Sequence, residues 1–365
     1  MIQYKSVVID LKRIRNVPWF AVLAVVLSIG IAGNLFSIGF RANARAAASK
    51  PIKWVEFNVT ASAMEKALKL DTESRDTETH LDWVELLSYL GTKYGGNFKK
   101  YKAKDMDAVA QKLREGSTME QLTEKMEYYS YYHEAYEAVL GGMVGEYEIQ
   151  TEDSLNAGSV EMQKKYGLKA YSPIAYGYSF SHYDDFGASR SYGFKRNHLG
   201  NDLLGNIGTP IVAVESGVVE MVGWNQYGGW RVGVRSFDGK RYYYYAHLRK
   251  DRPYHADLKE GGIVHAGDVI GYLGMTGYSS KENVNGMNVP HLHFGMQLVF
   301  DESQKESNNE IWINVYEIVK FLEHHKSPVV RNDETKEYFR KYQFTDPAVE
   351  ALQGVIPQFP KHEPD

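Results

Sequence analysis

The chain contains no cysteine, which excludes disulfides and thiolate metal ligands and leaves any exported part to fold on its apolar core alone. It has no excess of positive charge either: 42 Lys and Arg against 46 Asp and Glu give a formal charge of −4. With no nucleic-acid-binding motif, nucleic acid is excluded as an expected partner. There is no His-Glu-x-x-His segment, so no helix offers two imidazoles flanking a carboxylate base. Long apolar runs are absent too, with one exception at residues 17–38, which only Pro18, Ser28, Asn34 and Ser37 interrupt.

That exception spans 22 residues, enough for a helix to cross a bilayer core of about 30 Å. Lys5, Lys12, Arg13 and Arg15 precede it. Such charges keep residues 1–16 in the cytoplasm and export the remainder. The expectation is a single-pass anchor in the cell membrane with extracytoplasmic C-terminal domains. The alternative is secretion after signal cleavage near Ala46, since Ala44-Arg45-Ala46 is a small-residue site. The length of the run and the intervening Arg41 favour the anchor.

Residues 54–145 have a helical period, as in Leu81, Val84, Leu87 and Leu90, or Met106, Val109, Ala110 and Leu113. Ser62 with Glu65, Thr79 with Asp82, and Ser117 with Glu120 fit capping boxes. A domain of about four helices is expected. Tyr128, Tyr129, Tyr131, Tyr132 and Tyr136 crowd one helix beyond what a single core stripe can bury, so some aromatic surface is exposed or buried against another element, and the domain is expected to be a spacer, a module for a protein partner or a regulatory cover. Glu85 and Glu134 have no second carboxylate in a recognisable arrangement, so no glycosidase is inferred. Residues 146–170 read as an irregular linker with a short helical piece near 160–166.

The rest is β-rich and carries the chemistry. Strands are signalled at residues 211–214, 218–224, 230–236 and 241–247, with Phe237-Asp238-Gly239-Lys240 as a hairpin turn. Three histidine segments punctuate this stretch: Asn197-His198-Leu199-Gly200-Asn201-Asp202, Tyr245-Ala246-His247-Leu248, and Pro290-His291-Leu292-His293-Phe294-Gly295. In the last, apolar residues alternate with His291 and His293, placing both imidazoles on one strand face. A catalytic zinc takes three protein ligands and leaves a fourth position open. His198, Asp202 and one of the paired histidines meet that count. The eight histidines outside these segments, His182 among them, read as surface or packing residues. The Tyr242–Tyr245 run reads mainly as strand packing.

In this order, H-x-G-x-D, Tyr-Ala-His-Leu and His-Leu-His-Phe resemble the M23 family of lysostaphin- and LytM-type zinc endopeptidases of the cell wall. The flanking Gly208-Thr209-Pro210-Ile211-Val212-Ala213-Val214 and Gly267-Asp268-Val269-Ile270-Gly271-Tyr272-Leu273-Gly274 agree. The resemblance covers roughly residues 170–322. It implies an antiparallel, two-sheet all-β peptidase domain of the duplicated hybrid type at 171–325. It also implies Zn2+ on His198, Asp202 and His293, with His247 and His291 as catalytic residues. Which of these two is the base and which serves the oxyanion stays open. The implied substrate is the stem or cross-bridge peptide of peptidoglycan. The rival reading is a catalytically silent LytM-like scaffold or activator in envelope assembly. One departure stands out: residues 279–288 form a polar insertion ahead of the His-x-His segment, expected as a rim loop. A short helix after Trp312 closes the domain, and the tail 326–365, with a helix start at Asp346-Pro347, is assigned no chemistry.

Overall fold

A computed structural model describes residues 52–152, 160–191, 195–305, 308–352 and 354–360. The expected anchor at 17–38, its cytoplasmic segment and the cleavage site near Ala46 lie outside them. Among the described residues no helix is long and apolar enough to cross a membrane.

Five helices come first: α1 (Ala61–Ser74), α2 (Trp83–Tyr94), α3 (Ala103–Arg114), α4 (Met119–Thr123) and α5 (Tyr129–Leu140). Their caps sit one to three residues away from the expected ones. Thr60 caps α1, Asp82 caps α2 by accepting from the Glu85 amide, and Thr118 with Gln121 forms the capping box of α4. Any of several neighbouring Ser, Thr or Asp can satisfy an orphan amide, so sequence locates a helix start only approximately. On α5 the fully buried Tyr136 lies so close to Gly91 of α2 that a Cβ there would stand 2.8 Å from its ring. Tyr128, by contrast, is 60% exposed. The run of tyrosines is thus split between core and surface.

The expected linker is instead a β-hairpin. β1 (Val144–Glu152) pairs antiparallel with β2 (Val160–Leu168). On β1, Tyr147 and Ile149 alternate with Glu146, Glu148 and Gln150 and pack against a small core that includes Tyr171 and Phe344, whereas the side chains described along β2 are mostly exposed, and ladder hydrogen bonds carry its conformation.

The peptidase region begins with a small hairpin, β3 (Ser189–Ser191) and β4 (Lys195–Asn197), followed by β5 (Asn201–Leu204) and β6 (Pro210–Val212). A meander of β7 (Gly217–Asn225), β8 (Gly229–Ser236) and β9 (Arg241–Ala246) comes next, then β10 (Ile263–Val264), β11 (Val269–Tyr272), β12 (His291–Leu298) and β13 (Ile311–Trp312). The main sheet runs β10-β7-β8-β9-β12-β13, and β5 also pairs with β12. A second, two-stranded sheet pairs β6 with β11. All these pairings are antiparallel, as the resemblance implied. Helix α6 (Tyr316–Leu322) follows where expected. The tail adds the hairpin β14 (Val329–Arg331) and β15 (Tyr338–Arg340), then β16 (Phe344–Thr345), which joins the edge of β1. It ends in α7 (Pro347–Ala351), capped by Asp346.

Most buried residues of the helices belong to one core with the sheet. That core extends from Phe57, Trp83 and Tyr136 to Tyr243, Phe294 and Phe321. An ionic joint reinforces it. The Arg241 guanidinium, on β9, is buried against Glu215 (Nε–Oε2 2.8 Å, Nη2–Oε1 3.0 Å) and donates to the Ala138 carbonyl of α5 at 2.9 Å. The Tyr243 hydroxyl donates to Glu215 at 2.5 Å. A buried cation of this kind is tolerable only with its partners in place.

Candidate metal and proton-transfer site

Strand β12 is the spine of the site because it pairs on both sides. Toward β5 the register sets His293 opposite Asp202 and His291 opposite Leu204; toward β9 it sets His293 opposite Ala246. Directly opposed residues share a face, so Asp202, His291 and His293 project from one side. Leu292, Phe294, Met296 and Leu298 are fully buried on the other. The β3–β4 hairpin then supplies His198, whose backbone exchanges hydrogen bonds with Gly187 and Ala188.

Three donor atoms converge. His198 Nε2 lies 2.9 Å from Asp202 Oδ1 and 3.1 Å from His293 Nδ1, and the latter two atoms are 2.9 Å apart. Donors placed tetrahedrally about 2.0–2.1 Å from a zinc-sized ion would be separated by about 3.3 Å. The triangle is therefore nearly the size that one small divalent ion requires, and these three residues form a group able to hold a metal. The orientation of His198 suits it as well. Its Nδ1–H donates to Asp185 Oδ1 at 3.0 Å, which leaves the Nε2 lone pair facing the other donors.

Burial would raise the Asp202 carboxyl, but hydrogen bonds from His198 and His293 outweigh it and hold the group ionised far below the usual carboxylate range. Burial pushes the His293 imidazole down from its ordinary value, partly opposed by Asp202. An ionised carboxylate and a neutral imidazole are the forms a metal needs.

Two further imidazoles adjoin the triangle. His291 donates Nδ1–H to the Val289 carbonyl at 2.8 Å, and its Nε2 lies 3.8 Å from Asp202 Oδ1. His247 donates Nδ1–H to the Thr276 carbonyl at 2.8 Å, with its ring centroid 4.8 Å from that of His291. Both therefore present Nε2 to the site. Burial, reinforced by the neighbouring His291 and His293, drives the His247 pKa well below the ordinary imidazole value. Its backbone has φ +62°, a left-handed conformation that non-glycine residues seldom adopt. Thr276 braces it: its hydroxyl donates to the Leu248 carbonyl and accepts from the Trp230 amide.

All five residues singled out by sequence are thus brought together. Two others lacked any signal. Asp185 and Arg190 lie 13 and 8 positions before His198, outside every motif, and only the β3–β4 hairpin folds them back. Arg190 pairs with Asp185 and, at 3.2 Å, with Asp202 Oδ2, fixing the oxygen that does not face the triangle. His182, read as an ordinary packing residue, contacts Asn201 through Nδ1 at 2.6 Å beside the site. In the tyrosine run, Tyr243 and Tyr245 are buried and Tyr244 faces the site, its ring 5.9 Å from His293.

A cleft of about 340 Å³ opens beside Asp202 and His291, lined also by Tyr183, Arg190 and Met287 among others. Gly286 to Val289 supply one wall, so the insertion does form a rim. It is tied down rather than loose: Asn283 Oδ1 accepts from Trp230 Nε1 and the Asp251 amide, both at 2.9 Å.

Comparison with known proteins adds that residues 196–308 match the profile of Peptidase family M23. The L-Ala--D-Glu endopeptidase of Bacillus subtilis is 39% identical over 124 residues, 34% of this chain and 36% of that protein. The glycyl-glycine endopeptidase ALE-1 of Staphylococcus capitis is 39% identical over 99 residues, 27% of this chain and 24% of that protein. The chain thus spans about a third or less of the length of these curated relatives. Among solved structures, a Ruminococcus gnavus chain described as a lytM-type glycyl-glycine endopeptidase is 25% identical, with a TM-score of 0.49, covering 73% of this chain and 89% of that one.

Proposed function

From the premise that residues 196–308 are a peptidase M23 domain, we propose that the protein is a zinc endopeptidase. It cuts peptide bonds in the stem or cross-bridge peptides of peptidoglycan, held at the outer face of the cell membrane by residues 17–38. The observation that carries the reading is the triangle of His198 Nε2, Asp202 Oδ1 and His293 Nδ1, with two further imidazoles directed at it. The anchor rests on the apolar run and the basic residues ahead of it, and zinc on the donor set.

His198, Asp202 and His293 would hold the ion. When bound, zinc polarises a scissile carbonyl and makes water acidic enough to attack at neutral pH. The remaining work falls to the protein. His291 is the proton acceptor: its Nδ1–H is committed to the Val289 carbonyl, so Nε2 carries a lone pair 3.8 Å from the ligand triangle. His247, neutral through burial and locked by the Thr276 carbonyl, presents a second Nε2 through which a proton reaches the departing amine. Arg190 and Asp185 keep Asp202 and His198 oriented. The walls at Tyr183 and Met287 confine an extended peptide over these groups.

The test is mass spectrometry of purified peptidoglycans of several cross-link types after incubation with the zinc-loaded full chain. New peptide termini that disappear on chelation and return with zinc support the enzyme. Stoichiometric zinc with no new termini would favour the silent scaffold.

A further inference from the structure

The register of the main sheet extends the row of functional side chains beyond the metal group. His293 on β12 stands opposite Asp202 on one side and Ala246 on the other. Between β8 and β9, Gly233 pairs with Tyr244 and Val232 with Tyr245. Alternation therefore puts Arg231 on the face of Tyr244, one step past the Val232–Tyr245 pair and level with Ala246. The row reads Arg231, Ala246, His293, Asp202 across four strands. Two strand spacings, roughly 10 Å, separate the Arg231 and His293 backbones, and the only side chain between them in the row is a methyl group.

Arg231 is a half-buried cation with no carboxylate partner among the described residues. Its stem and the Tyr244 hydroxyl crowd the same point: a Cβ on Gly228 would stand 2.7 Å from Arg231 Cδ and closer still to that hydroxyl. Arg231 Nε is buried and, among the described residues, has no hydrogen-bond partner. The Arg196 guanidinium lies 4.9 Å over the ring of Tyr278, which itself stacks on His247 with centroids 6.0 Å apart. On the opposite side of the triangle, Arg190 is neutralised by Asp185 and Asp202. The row across the sheet thus ends in the Arg231 guanidinium, and the Arg196 guanidinium reaches the His247 side of the site through Tyr278.

The geometry points to a carboxylate-binding subsite at Arg231 and Arg196, which selects stem peptides bearing a free carboxylate within about three residues of the scissile bond over neutral glycyl bridges. The inference rests on the peptidase reading for its location and deepens it by naming the substrate class. A planar guanidinium beside a phenol hydroxyl suits a bidentate carboxylate, and a carboxamide in the same place forfeits the charge-assisted bonds.

The experiment uses the zinc-loaded full chain with two stem peptides identical except that one carries free carboxylates and the other carboxamides, and with pentaglycine. Both kcat/KM and, by calorimetry, Kd are measured. The carboxylate form is expected to be favoured at least tenfold. Arg231→Gln should collapse that ratio to about twofold or less at unchanged zinc content, Arg231→Lys should retain part of it, and Arg196→Gln should reduce it. Equal handling of the two peptides by the wild-type chain, or a preference that survives both glutamine variants, overturns the subsite. Carboxylate-selective binding without cleavage would sustain the subsite and defeat the peptidase reading, whereas neither binding nor cleavage of any peptide defeats both.

Discussion

Removing the Asp185 carboxylate should weaken metal binding without touching a ligand. Its Oδ1 takes the Nδ1–H of His198 at 3.0 Å, so it fixes the tautomer and ring angle that present Nε2 to the triangle. Loss of such an outer partner costs about 10–100-fold in metal affinity. The Asp185 side chain is 32% exposed, and water can replace part of what it supplies, which places the effect at the low end. Asp185→Ala should raise the zinc Kd about tenfold, equivalent to about 1.4 kcal/mol. Asp185→Asn, whose amide oxygen still accepts a hydrogen bond, should raise it less. Competition of the full chain against a chromophoric chelator measures both. The neighbouring Asp184, whose Oδ1 instead accepts from Asn314 at 2.8 Å, gives the control, and Asp184→Ala should leave affinity unchanged. Should Asp185→Ala bind zinc within twofold of the wild type, the orienting role assigned to this carboxylate is wrong.

His293→Ala removes one of three ligands and should abolish both zinc retention and turnover, whereas His291→Ala should keep most of the zinc and lose turnover; metal analysis beside peptide release separates the two. Glu215→Ala leaves Arg241 buried without its main partner and should lower stability by about 3–5 kcal/mol, visible as a reduced denaturation midpoint. Gly142→Ala should act in the same direction, because the new Cβ would stand 2.6 Å from Arg241 Nη2 and from Glu215 Cδ. His325 stacks on Tyr171, and burial, with Arg340 adding to it, pushes its pKa below the ordinary imidazole value. The unfolded chain then binds the proton first, so stability is lost as pH falls below about 6.5, with a slope of at most about 1.4 kcal/mol per pH unit from this residue. Denaturation midpoints between pH 7 and 5 should fall less steeply in His325→Gln.

Much of the site was legible because a strand converts sequence spacing directly into direction. His291 and His293 share a face by alternation alone, and the flanking Leu292 and Phe294 declare which face is core. Asp185 and Arg190 were not legible, because their approach depends on how a short hairpin folds back, which no local pattern encodes. Strand β2 escaped for a related reason: with water around most of the side chains described on it, its sequence is under little apolar constraint. The helices were recognisable from their period. Their union with the sheet through Arg241 and Ala138 was invisible, since a buried arginine looks in sequence like an exposed one.

The left-handed backbone of His247 bears on descent. Glycine occupies that conformation without the cost of about 1 kcal/mol that a side chain incurs there. Random substitution would therefore be drawn toward glycine wherever the imidazole had lost its use. A lineage that had become a mere scaffold would have had a standing thermodynamic incentive to abandon histidine here. This chain still carries the strained residue, with Thr276 positioned to hold its ring.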